Sequence, residues 1–336
     1  MMVQSGSGGD VGGLRLAMSI VPTTVDQAKV VARAVEQAGF WGLGLGDSPA
    51  NFAELAVSLT SSLSCTDHIA IGSMVTNPRT RHWSVLAAMA TALHELAPGR
   101  FFLGISSGNS AIRAADGSPV PPTELSATIS SIRARCADTF PILVAADGRR
   151  TAAVAGAVAD GIVVGTGVNG DAFEELRRSA DEVRPAVRGD RFEHWLYLHL
   201  NVVDTEREVD RARAESLSMA VSFAHRAFAQ TLDGKHVPAE FEEILRQRLA
   251  GYDMSAHARA DPTSPNAGIF RDQPEVERYL LDRFTVYGTA EMCRRQLLDA
   301  VAQTGTRRVW FSTIAADPVA NVERADGAFT LLKEVA

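Results

Sequence analysis

The stretch Arg100-Phe101-Phe102-Leu103-Gly104-Ile105-Ser106-Ser107-Gly108-Asn109-Ser110 organises the whole chain. Phe101 to Ile105 has strand length and ends abruptly in hydroxyl side chains and a glycine. Such an ending gathers unhindered backbone N–H groups with the hydroxyls of Ser106, Ser107 and Ser110, which suits a phosphate. Gly108 takes a positive φ at little cost and lets an anion come close to the backbone. A Ser/Gly cluster is also how an ordinary turn reads, so the loop gains meaning only from its place in the fold.

The same strand-and-helix unit recurs on both sides. Leu14 to Val21 is a first strand, and Thr24-Val25-Asp26-Gln27 opens a helix with Thr24 at the N-cap and Gln27 at capping-box spacing. That helix stops at Gly39. Trp41 to Gly46 is a second strand, Ala53 to Leu63 a helix, and His68 to Val75 an apolar third strand. A helix from Ser84 to Leu96 leads to the opening strand. Then come a helix over Leu125 to Cys136, a strand over Ile142 to Ala145 and a helix over Arg149 to Val158. Gly161 to Val164, a helix from Asp171 to Val187, and the strand Trp195 to Val203 follow. Ala290 to Ala302, Arg308 to Ser312 and Val319 to Lys333 close the chain as helix, strand and helix.

These strands are continuous apolar runs, as strands buried on both faces are. Eight βα units in a chain of 336 residues predict an α/β fold, a TIM (β/α)8 barrel over residues 14–336, and not two nucleotide-binding halves. Residues 1–13 are rich in Gly and Ser with no apolar core and read as a disordered tail. The rhythm breaks once, over residues 204–282 between strands seven and eight. This part is charged and helical at first, then rich in Ala, Pro and Ser. So long a stretch in a compact domain reads as an insertion with a task, such as a lid.

A net charge of −7 argues against nucleic acid as a partner, since phosphate backbones need a basic face. Cys65, Cys136 and Cys293 lie far apart, which indicates neither zinc nor a disulfide framework and fits a cytoplasmic protein. No apolar run approaches the roughly 20 residues of a membrane helix.

In a barrel every strand's C-terminal end faces the same mouth. That mouth gathers Asp47, the Met74 to His82 loop, Ser106 to Ser110, Asp147, Gly165-Thr166-Gly167, Asn201 and Ser312. It is polar, hydroxylated and lined with glycine. His82, His94, His199 and His225 are scattered, so no metal site is expected, and no nucleophile elbow is present. Such a mouth suits a phosphorylated cofactor that carries the chemistry itself.

Ile71-Gly72-Ser73-Met74-Val75-Thr76-Asn77-Pro78-Arg79-Thr80-Arg81-His82 resembles the third strand and following loop of the bacterial luciferase-like family. The run from Leu96 to Ala111 resembles that family's fourth strand and cofactor loop. Tyr287-Gly288-Thr289-Ala290-Glu291-Met292, followed by Gly305, looks like the start of its final helix. The resemblance is strongest to the methylenetetrahydromethanopterin reductase-like branch. It implies a TIM barrel that binds coenzyme F420 or FMN, transfers hydride or activates oxygen, and often forms homodimers. It also implies a cis peptide bond between Met74 and Val75 beneath the cofactor ring, with Thr76 beside it.

Two positions depart from the family pattern. Flavin-binding luciferases hold the FMN phosphate with a basic residue where this chain has Ser107, which favours F420. Deazaflavin-dependent sugar dehydrogenases place a glutamate proton donor where this chain has Asn109, and a carboxamide is no general acid. The expected cofactor residues are Met74, Val75, Thr76, Ser106, Ser107, Gly108, Asn109, Ser110, Gly165 and Thr166; the expected catalytic residues are Asp47 and His82. Asp47 also reads as a cap before Pro49, and His82 as a hydrogen-bonded histidine at a helix start. Three functions follow: F420-dependent reduction of a C=N or C=C bond in a small metabolite, an FMN-dependent monooxygenase fed by a separate flavin reductase, or a non-catalytic flavin-binding relative.

Overall fold

The structure is a computed structural model, which describes residues 13–108, 111–112, 117–186, 191–257 and 259–333. Apart from Gly13 the expected tail lies outside the described residues, as do Asn109 and Ser110.

The strands are β1 (Arg15–Ile20), β2 (Gly42–Leu45), β3 (Ala70–Ser73), β4 (Phe101–Ile105), β5 (Ile142–Ala146), β6 (Gly161–Val164), β7 (Glu193–Val203), β8 (Thr285–Thr289) and β9 (Arg308–Ser312). Strands β1 to β7 pair in chain order, β7 pairs with β9, and β9 returns to β1, all in parallel, so eight strands close a ring. The helices are α1 (Val25–Gln37), α2 (Leu55–Ser64), α3 (Trp83–Leu96), α4 (Pro122–Cys136), α5 (Arg149–Val158), α6 (Gly170–Asp181), α7 (Val209–Phe228), α8 (Ala239–Leu249), α9 (Pro274–Phe284), α10 (Ala290–Thr304) and α11 (Pro318–Phe329).

Local chemistry sets these boundaries. Thr24 accepts a hydrogen bond from the Gln27 N–H at 3.1 Å, while the Gln27 side chain reaches back to the Thr23 N–H at 2.8 Å. The expected cap is therefore present, with its return bond shifted by one residue. Asn169 caps α6 in the same way, and α10 stops at Gly305, whose φ of +68° is the left-handed conformation of a C-terminal cap.

The outward side chains of the strands, among them Leu16, Met18, Leu43, Ile71, Leu103 and Val144, pack against the helices in one apolar layer. Each fully buried aliphatic side chain there contributes about 1.5–3 kcal/mol. The inward side chains form a second, aromatic cluster: Phe102, Trp195 and Trp310 with Trp41 against them. The Trp41–Trp195 and Trp195–Trp310 ring centres lie 5.0 and 5.1 Å apart. Gly44 makes this filling possible, because a β-carbon there would stand 2.3 Å from Met74 Cβ and 3.1 Å from Trp310. Trp41 thus belongs to the plug of the barrel. Trp83 packs on the outer layer.

One strand escaped the sequence reading. β8 lies outside the ring, parallel to the far half of β7, with His199 opposite Thr285 and Val203 opposite Thr289. The excursion between β7 and the ring's eighth strand, β9, therefore includes a strand of its own. Before it, α7, α8 and α9 bury a separate apolar cluster around Phe223, Phe228, Leu245, Phe270, Leu280 and Phe284. Among the described residues no helix is long and apolar enough to cross a membrane.

Candidate active site

A cavity of about 910 Å³ opens at the C-terminal ends of the strands. Its floor is Ala145, Val163 and Tyr197, directly above the aromatic plug. The loops after β2 to β5 form one wall, and α7 with the chain that follows it forms the other.

Asp47, 5% exposed, lies on the wall after β2. Its Oδ2 accepts from Thr76 Oγ1 at 2.6 Å and from Arg81 Nε at 3.1 Å, and its Oδ1 accepts from Arg81 Nη2 at 3.4 Å. Arg81 is shared with Glu54 at 2.6 Å. Both oxygens of Asp47 are thus engaged, one by Thr76 and Arg81 together and the other by Arg81. Thr76 is fully buried beneath it and spends its hydroxyl on that bond. The Met74–Val75 peptide is cis, and both residues line the cavity.

Ser106, Ser107 and Gly108 also line the cavity. The structure corrects what Ser106 offers, however. Its N–H donates to the Thr76 carbonyl at 3.0 Å and its hydroxyl to the Ala145 carbonyl at 2.9 Å, so neither is left for a phosphate. Both bonds follow from the lateral pairing that continues past the end of β4. Gly108 has φ +87°, and a β-carbon there would come within 2.9 Å of Asn77, so this turn requires glycine.

The anion-binding features lie one strand further on, at Asp147-Gly148-Arg149 after β5, where the sequence reading had only noted Asp147. Gly148 is the N-cap of α5 and supplies no side-chain cap. Gly148, Arg149, Arg150 and Thr151 line the cavity, so the start of that helix and the positive end of its dipole lie at the wall; the Thr151 N–H is spent on the Gly148 carbonyl at 3.1 Å. Lys235, carried there by the insertion, lines the cavity and is 3% exposed. Its Nζ lies 4.0 Å from where a Gly148 β-carbon would stand, and makes no hydrogen bond or ion pair among the described residues. Burial pushes its ammonium below the usual lysine range, while Asp147 opposes that shift. Arg149 stands at the same helix start, paired with Glu175 and Asp233.

Arg226 from α7 closes the opposite side. Its Nη2 donates to the Gly165 carbonyl at 3.0 Å, its Nε lies 3.7 Å from Asp147, and its guanidinium lies 4.9 Å above the Phe223 ring. Gly165 permits this approach, since a β-carbon there would stand 2.2 Å from Asp147 Oδ1.

Four expected residues do not line the cavity: Thr76 and Gly165, bonded to Asp47 and Arg226, and Thr166 and His82. Thr166 is fully buried and does not line the cavity; Arg283 Nε donates to its carbonyl at 2.8 Å. It therefore supports the loop from behind instead of closing a phosphate pocket. His82 is exposed outside the cavity and is the N-cap of α3, its Nδ1 2.8 Å from Ser84 Oγ. Asn109 and Ser110 lie outside the described residues. No group of three or more His, Cys, Asp or Glu able to hold a metal occurs among the described residues.

The comparisons with known proteins agree with this architecture. The sequence profile of the family described as luciferase-like monooxygenase matches residues 4–129 and 115–308. The chain is 24% identical over 297 residues to the 5,10-methylenetetrahydromethanopterin reductase of Methanolobus tindarius, covering 79% of this chain and 84% of that protein. The fold is similar to that of the coenzyme F420-dependent tetrahydromethanopterin reductase from Methanopyrus kandleri, with TM-score 0.69, 16% identity, and coverage of 95% of this chain and 99% of that one. It is also similar to EDTA monooxygenase from Chelativorans sp. BNC1, with TM-score 0.61, 13% identity, and coverage of 96% and 95%.

Proposed function

The chain belongs to the luciferase-like monooxygenase family and is an oxidoreductase, and from that premise we propose that it binds coenzyme F420 and reduces a C=N or C=C bond of a small metabolite. The observation that carries this reading is the pairing of Lys235 with the uncapped start of α5 at the cavity wall. An unpartnered buried ammonium facing free helix N–H groups is a seat for a phosphate.

The rest of the cavity fits such a cofactor. Lys235, Arg149 and the first N–H groups of α5 would hold its phosphate. Met74, Val75, Ala145 and Val163 offer an apolar bed for a planar ring, and Gly108 lets the ring edge approach the backbone. Asp47, locked to Arg81, fixes a negative charge on the wall after β2. When bound, the deazaflavin supplies a two-electron hydride; the protein's part is to orient it, exclude water beneath α7 and manage the proton.

F420 is favoured over FMN by the likeness to methylenetetrahydromethanopterin reductase and by Ser107, which leaves that loop without the basic residue expected for FMN. The same phosphate seat would serve FMN, and the likeness to EDTA monooxygenase supports a monooxygenase, which we take to be FMN-dependent, as the second reading. Fluorescence titration with F420 and FMN, each oxidised and reduced, separates the two. F420 binding is expected. Tight FMN binding without F420 binding, together with oxygen consumption by the reduced complex, would reverse the order; binding of neither would end both readings.

A further inference from the structure

The insertion carries a second, independent feature into the cavity. Ser222 of α7, Tyr252 just after α8, and His257 after the short turn Met254–Ala256 form a chain of hydrogen bonds. Ser222 Oγ lies 2.7 Å from Tyr252 Oη, and Tyr252 Oη lies 2.7 Å from His257 Nδ1. The ring of His225 stacks on Tyr252 at 4.0 Å and 10°, which fixes the phenol from its face. His257 lines the cavity, and its Nε2 has no partner among the described residues. With Nδ1–H donating to the phenolic oxygen and Tyr252 donating to Ser222, Nε2 turns its lone pair to the cavity. The same chain holds unchanged when Nε2 takes up a proton.

Lys235 is assigned to the phosphate, and the carboxylates and the tyrosine on the wall have occupations. Asp47 is locked to Arg81, Asp147 lies against Arg226, and Asp233 pairs with Arg149. Tyr197, on the floor, shares its hydroxyl with Ser19 at 3.3 Å. His82 is outside, and the family's glutamate position holds Asn109.

We infer that His257 is the catalytic acid–base of this cavity and that Tyr252 is its positioning residue. The assignment rests on the oxidoreductase reading above. In the reducing direction a reduced deazaflavin held in the cavity would supply the hydride that the carbon of the substrate C=X bond gains, giving up two electrons. The π pair of the bond takes the proton from protonated Nε2, and water returns a proton to the neutral imidazole. In the oxidising direction Nε2 accepts the X–H proton as hydride leaves carbon. The groups facing His257 are Tyr252, His225 and Arg226. Burial, with the charges of the latter two, pushes the imidazole down to about 4, so near neutrality the reduction draws its proton from a small protonated fraction and quickens as pH falls toward that value.

The test uses the full-length parent with His257→Gln and Tyr252→Phe. Fluorescence titration with F420 and FMN comes first and is expected to be alike for all three; a parent that binds neither cofactor refutes the reading above, separately from this one. Diethyl pyrocarbonate, which attacks only neutral imidazole, is then applied at pH 5 and the peptides are weighed. His257 should react at least about tenfold faster than free N-acetylhistidine in the same solution, because a histidine of ordinary pKa is then mostly protonated. A rate no greater than that of the free amino acid overturns the proposal. Finally, the parent loaded with reduced cofactor is offered a panel of cyclic imines and enones. His257→Gln should lower the rate constant about a hundredfold and Tyr252→Phe about tenfold, at unchanged half-saturating acceptor. Rates within twofold of the parent in His257→Gln overturn the proposal; if the parent reduces none of the panel, the labelling result alone decides.

Discussion

Arg226 Nη2 donates to the Gly165 carbonyl across 3.0 Å, and this bond ties α7 of the insertion to the end of β6. A charge-assisted bond to a carbonyl contributes about 1.5–3 kcal/mol. We propose that residues 204–282 act as a lid and that this contact is its latch. In Arg226→Ala, amide exchange over α7 and α8 should therefore quicken at least about tenfold while the barrel strands stay protected. Equal protection in both proteins would remove the latch.

Lys235 gives the second prediction. Lys235→Met keeps the stem packed and deletes the ammonium above Gly148, so cofactor affinity should fall about ten- to a hundredfold with thermal stability little changed. Gly108→Val should also weaken binding, through the clash with Asn77 and the unfavourable φ. The two substitutions are distinguished by salt: only the lysine deletion should flatten the dependence of Kd on ionic strength. An unaltered Kd in Lys235→Met would leave the α5 seat without a function.

The third concerns Asp47. Asp47→Asn keeps the size but removes the charge that answers Arg81, leaving that guanidinium to Glu54 alone. A loss of about 1–3 kcal/mol in unfolding free energy is expected, readable by urea titration. Arg81→Met paired with Asp47→Asn should recover part of it. If Asp47→Asn were as stable as the parent, the pair would be ornamental.

The fourth is the response to acid. His199 is fully buried on β7 and burial pushes its imidazole down to about 3; His257 is pushed down to about 4. Both folded values lie below the unfolded value of roughly 6.5, so the unfolded chain binds protons more readily. Stability is therefore complete above about pH 6.5 and falls as pH drops through 5 toward 4, by up to about 1.4 kcal/mol per unit for each histidine. Urea unfolding at pH 7, 6 and 5 checks the slope, and His257→Gln should reduce it. A flat profile would contradict the burial of both imidazoles.

The barrel was legible because its signals are local. β4, β6, β9 and α5 occupy the residues that apolar runs and turn chemistry indicated, and Thr24 caps α1 as its spacing required. β8 was missed because Thr285 to Thr289 contains a polar first residue and a glycine and pairs only at the edge of the sheet. Within the site, Asp47, Met74 and Gly108 could be placed by counting strand ends. Ser106 could not be judged, since its donors are consumed by Thr76 and Ala145, partners 30 and 39 residues away. His257 carries no sequence signal, and Lys235 carries almost none. Their meaning comes from α7 folding back over a mouth assembled by distant strands, and the one local hint is Gly234 before Lys235 (φ +69°), a turn that aims the lysine.

The excursion leaves from the far end of β7 and comes back through β8, so both of its joints lie in one parallel ladder, His199 to Val203 against Thr285 to Thr289. Anchored there, the intervening chain behaves as a cassette: closing a longer or shorter loop between fixed ends changes the cost only logarithmically with length. The cassette touches the ring through side chains such as Arg226 on the Gly165 carbonyl and Arg283 on the Thr166 carbonyl. Residues 204–284 can thus be rewritten between fixed joints while the floor of Ala145, Val163 and Tyr197, carried by the ring strands, keeps its place.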